Sequence, residues 1–134
     1  MNFASRTIFI ISSDLIVAQK CIDELAVFGG CYQTPVARSI VQARKGFLRT
    51  PPAVLFLDES AIEMSSEGGS LESAVASLIE TAPVVVAATA DKQEPLTFLI
   101  TSGAVDFVTR TSHYIPSAAA MLDRRARIAE RMAG

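Results

Sequence analysis

Five short apolar runs alternate with amphipathic stretches along this chain, and that alternation limits the fold more than any other feature. The runs are "TIFII" (7–11), "CYQTPVA" (31–37), "AVLFLD" (53–58), "PVVVAA" (83–88) and "AVDFVTR" (104–110). Three of them are apolar at consecutive positions, so both faces of the pleat are expected to be covered. Between them lie stretches of helical period. Val17, Cys21, Leu25 and Phe28 form one stripe, closed by Gly29 and Gly30. Ile40, Ala43 and Phe47 form a second within 39–48. Leu71, Val75, Leu78 and Ile79 form a third within 71–82. Pro95 opens a fourth helix that Gly103 stops, and Pro116 opens the last. The segments "ESAIEMSSEGGS" (59–70) and "TADKQE" read as loops.

Strand–helix alternation predicts a parallel sheet with helices on both faces. Right-handed crossovers leave few doubly wound orders. Pro35 removes a ladder donor and sends the second strand to an edge. The order 2-1-3-4-5 fits, giving a three-layer flavodoxin-like (βα)5 sandwich. With 134 residues and no linker, the chain is expected to be a single domain, 1–134. In such sheets the site lies outside the carboxyl ends of the strands. Ser12, Ser13 and Asp14 follow the first strand, Asp58 ends the third, Thr89 follows the fourth and Arg110 ends the fifth. All the polar candidates therefore fall on one rim. Asp58 is expected to be exposed there, and Asp14 is an alternative helix N-cap.

Composition excludes several classes. The formal net charge of −2 gives no electrostatic reason to hold nucleic acid. No apolar run approaches the ~20 residues of a membrane span, and the first residues do not read as a signal peptide. Cys21 and Cys31 are too few for a disulfide framework and read as reduced packing residues of a cytoplasmic protein. The lone His113 reads as a surface residue, without companions for a metal cluster. No glycine-rich nucleotide motif is present, which leaves a small-ligand flavodoxin-like binder as the weakest reading.

The acid in "VLFLDES", the "ATAD" after the fourth strand and "SGAVDFVTR" ending in a base together resemble the CheY-like receiver domain of two-component response regulators. The resemblance covers nearly the whole chain. It implies Asp58 as phosphoacceptor, Thr89 as the switch hydroxyl and Arg110 in place of a lysine. It also implies Mg2+ held near Asp14, Asp58 and Ser60, with Ser13 a weak contributor. A dication and a base would neutralise the phosphoryl oxygens. The sequence departs from the pattern where an acidic pair would stand, since Ser12 and Ser13 occupy those places and Asp14 comes one residue late. Ala61 and Ile62 replace a Met-Pro pair, and Thr111 replaces a proline. Counting back from Gly103 puts the switch at Ala88, whereas the local "TAD" match puts it at Thr89.

Two functional readings follow from the resemblance. One is a phosphorylatable receiver with a depleted Mg2+ pocket. The other is an atypical receiver, or pseudo-receiver, that acts by protein interaction or dimerisation without phosphorylation. The partners implied are a histidine kinase or another signalling protein, at the face of the fourth helix, fifth strand and last helix. That face carries Phe98, Thr101, Asp106 and arginines, with Phe107 as a candidate rotamer switch. The last helix, about 116–133, shows a stripe of Leu122, Ala126, Ala129 and Ala133 widened by Met121, Ile128 and Met132. It is expected to cover the core, and also to dimerise or connect to a downstream domain such as that of a histidine kinase.

Overall fold

A computed structural model describes residues 6–63, 70–111 and 118–133. His113, the start of the last helix at Pro116 and the Gly-rich part of the 59–70 loop lie outside the described residues. The elements are β1 (Ile8–Ile11), α1 (Leu15–Val27), β2 (Val36–Ala37), α2 (Ile40–Phe47), β3 (Val54–Asp58), α3 (Ser60–Glu63), α4 (Leu71–Leu78), β4 (Val84–Ala88), α5 (Thr97–Thr101), β5 (Val105–Thr109) and α6 (Ala118–Ala133). All strand pairs are parallel, and the order is β2-β1-β3-β4-β5, as the sequence predicts.

Strict alternation along the strands builds two cores. Ile8, Ile10, Val54, Phe56, Val85, Ala87 and Val108 pack with α1 and α6 on one face. Phe9, Ile11, Leu55, Leu57, Val84, Val86, Ala88 and Val105 pack with α2, α4 and Leu96 on the other. Burial on both faces is what a run without polar interruption provides. Pairing Asp58 with Ala87, and Ala88 with Thr109, brings the strand ends to a common rim.

Several elements differ from expectation. β2 shrinks to two residues because Pro35 cannot donate; its carbonyl still accepts from Ile10 N at 2.8 Å. The loop after β3 begins with the single turn α3, and "TADKQE" contains a 3-10 turn at Ala90–Lys92. Pro95 sits in a further 3-10 turn, so α5 starts only at Thr97. Phe28 is exposed rather than part of the α1 stripe, since α1 ends at Val27. Cys21 is buried as expected, but Cys31 is exposed, with φ of +53°. Gly29 and Gly103 end α1 and α5 with φ of +70° and +86°, conformations that favour glycine.

α6 is held to the body by charge as well as by its apolar stripe. Leu122 and Ala126 are buried, whereas Met132 is 84% exposed, so the stripe does not reach the end of the helix as an inner face. Asp123 and Arg127 form an i,i+4 pair at 3.0 Å. Asp123 also accepts from Tyr32 Oη, and Arg127 donates to the carbonyl of Phe28 at 3.2 Å. Arg125 turns back to Asp106 at 2.7 Å.

Candidate functional site

The rim site is assembled from the ends of β1, β3 and β5. Ser12 leaves β1 buried, and Asp14 caps α1 by accepting from Ile16 N at 3.0 Å and Val17 N at 3.3 Å. The N-cap reading of Asp14 therefore holds, and the cap fixes one carboxylate oxygen. Its other oxygen, Oδ2, takes a hydrogen bond from Arg110 Nη2 at 2.9 Å. Arg110 is positioned by its own backbone N–H, which donates to the carbonyl of Ala88 at 2.8 Å and continues the β4–β5 ladder.

Asp58 corrects the expectation of an exposed acid, because it is 0% exposed. Burying a carboxylate without partners costs several kcal/mol, so its neighbours decide whether the site is stable. Oδ2 accepts from Ser12 Oγ at 2.8 Å and from Ser60 Oγ at 2.6 Å. Arg110 Nε lies 2.7 Å from Oδ1. Neither of those last two atoms has an aligned hydrogen bond, so this contact is ionic rather than directional. A second ring of bonds holds the serines. Ser13 N donates to Ser60 Oγ at 3.2 Å, Ser13 Oγ donates to the Ser60 carbonyl at 3.0 Å, and Asp14 N donates to Ser12 Oγ at 3.1 Å.

The structure thus brings together five of the six predicted site residues: Ser13, Asp14, Asp58, Ser60 and Arg110. Thr89 stands apart. It is exposed, its hydroxyl donates to Asp91 at 2.6 Å, and its N–H donates to Glu59 Oε1 at 3.1 Å. The Thr89 hydroxyl holds the Asp91 carboxyl below its ordinary value. Ser12 stood outside the predicted site set, and its role as a donor to Asp58 was missed. A hydroxyl donor stands where a second acid would repel Asp58. The available signal was the serine itself, a small donor at the end of a buried strand beside an acid-ending strand.

This donor set does not suit a hard dication. Mg2+ takes oxygen ligands at near-ideal octahedral geometry and favours carboxylates. Here two carboxylates already share a guanidinium, and the remaining oxygens belong to hydroxyls donating into Asp58 or to a carbonyl engaged by Ser13. Among the described residues, no three His, Cys, Asp or Glu side chains converge.

No family model matches the chain, and no curated protein matches it. Solved structures do. The adenylate cyclase structure from Rhodopirellula baltica superposes with a TM-score of 0.72 at 11% identity, covering 96% of this chain and 92% of that one. The receiver domain of NtrX from Brucella abortus superposes at 0.66 with 20% identity, covering 92% and 98%. A two-component response regulator from Clostridium difficile superposes at 0.66 with 18% identity, covering 93% and 95%. At such identities the likeness speaks for architecture. The chain has the CheY-like fold of response-regulator receiver domains.

Proposed function

We propose that this chain is a receiver-like signalling module that works through protein contacts without phosphorylation of Asp58. The carrying observation is the closed state of that acid: no exposed surface, two hydroxyl donors on Oδ2 and a guanidinium on Oδ1. Phosphoryl transfer needs an oxygen free for in-line approach to the donor and cations placed on the transferred group. Here the approach is shut and the base cation is engaged with two acids. Thr89 is turned to Asp91, away from the role of a phosphoryl-binding hydroxyl.

The partner face in this reading is α5, β5 and α6. Phe98 on α5 is 82% exposed, a large apolar side chain that a partner would cover. Asp106 is already neutralised by Arg125, so recognition there rests on Phe98 and on the exposed Arg124 rather than on an acid. A histidine kinase or a related signalling protein is the partner class we assign. The exposed end of α6 at Met132 is the surface for a second copy or a following domain. No described helix is long and apolar enough to cross a membrane, and with the free thiols of Cys21 and Cys31 we place the module in the cytoplasm. The test is incubation with a small phosphodonor and Mg2+. We expect Asp58 to stay unmodified, and stoichiometric modification would overturn the reading.

A further inference from the structure

We propose that Arg110 is the resident cation of the rim site, and that its guanidinium is what keeps a divalent cation out. The inference rests on the reading of Asp58 as a closed, internally neutralised acid.

Two carboxylates from different elements meet on one side chain. Asp14, at the start of α1, receives Nη2 at 2.9 Å, and Asp58, at the end of β3, receives Nε at 2.7 Å. The planar guanidinium reaches both at once through two different nitrogens, in a fixed geometry that a flexible ammonium does not reproduce. The two contacts differ in kind. The bond to Asp14 is an aligned hydrogen bond, whereas the contact with Asp58 Oδ1 is charge against charge without alignment. An anionic oxygen held only by proximity of a cation is one that another cation can hold instead. Around it stand further hard oxygens, the hydroxyls of Ser12 and Ser60. Take the guanidinium away and Asp58 Oδ1 loses its cation, with the Asp14 carboxylate and the hydroxyls of Ser12 and Ser60 close by. That set has the oxygen chemistry that Mg2+ and Mn2+ select.

The experiment measures Mg2+ and Mn2+ binding to the whole chain by titration calorimetry and by thermal shift. It compares wild type, Arg110→Gln and Arg110→Lys, and repeats Arg110→Gln with Asp14→Asn added. We expect no saturable shift for wild type at millimolar dication. Arg110→Gln should bind at least tenfold tighter than wild type, and Asp14→Asn should remove the gain. Folding of Arg110→Gln only when dication is present counts as the same gain. If Arg110→Gln does not fold under either condition, Arg110→Lys decides, and it should bind more tightly than wild type. Wild-type binding as tight as the variants, or no gain in any folded variant, would overturn the resident-cation role. That failure leaves the proposed function intact so long as wild-type Asp58 takes no phosphoryl group, whereas a phosphorylated wild type would sink the function whatever the variants bind.

Discussion

At the scale of the residue, Arg110 offsets the cost of burying the Asp58 carboxylate. Breaking a buried ion pair by removing one partner leaves an uncompensated charge and costs about 3–5 kcal/mol. Arg110→Met should fall in that range in urea denaturation, because Asp58 would keep only its two hydroxyl donors. Asp58→Asn should cost less, about 1–2 kcal/mol, since a neutral amide needs no cation and Arg110 keeps Asp14. The double variant should lose clearly less than the sum of the two, and additivity would show that the pair is not coupled. The sequence identified Asp58, Asp14 and Arg110, because an acid or base at a strand end is visible as a break in an apolar run. The burial of Asp58 was not visible. It depends on Ser12 meeting it across 46 positions of sequence, and that contact is set by strand register rather than by local pattern.

Cys21 supplies a pH dependence at the same scale. Burial, helped by Glu24, pushes its thiol from 9.0 to about 12. The folded state therefore keeps a proton that the unfolded state releases. The stabilisation is complete below pH 9 and is lost as pH rises from 9 towards 12, amounting to about 4 kcal/mol at the limit. Tyr32, raised to about 12 by burial and by its bond to Asp123, acts in the same direction from pH 10 upward, though its exposed part is screened. Urea midpoints at pH 8 and pH 11 should differ strongly in wild type. Cys21→Val should flatten most of that difference, and an unchanged slope would show that the thiol is not its source.

At the scale of the element, Gly46 shows packing overriding propensity. Alanine inside a helix normally gains about 1 kcal/mol over glycine. A Cβ at Gly46 would sit 2.8 Å from Phe9 Cζ and 3.1 Å from Cε2. Phe9 is buried and stands edge-on to Phe47, with ring centroids 5.0 Å apart. Overpacking of this kind costs about 1–3 kcal/mol, so Gly46→Ala should be destabilising on balance. A stabilised variant in thermal melts would show that Phe9 can move aside. The helices were legible where their period was strong, as in α2 and α4, whose serine caps at Ser39 and Ser70 hold the N–H groups of Gln42 and Ser73. Their ends were less legible. Phe28 and Met132 continue the apolar spacing yet are exposed, since each lies beyond the part of its helix that faces the core. The partner of Arg125 is not legible in the sequence, and only the fold reveals Asp106 beside it.

At the scale of the whole molecule, the sheet order was written into the chain. Doubly buried runs, helix-length spacers and one proline leave few alternatives, and the structure takes the expected one. The same fold carries structures as different as an adenylate cyclase and response-regulator receivers, so architecture alone does not assign an activity. What separates the two readings of this chain is whether its rim acid is open or closed, a matter of a few side chains at the strand ends. Intact mass after incubation with acetyl phosphate and Mg2+, with Asp58→Asn as the control, tests this most directly. We expect no added phosphoryl group on the folded wild-type chain, and a gain of one phosphoryl group that the Asp58→Asn control lacks would contradict the closed site.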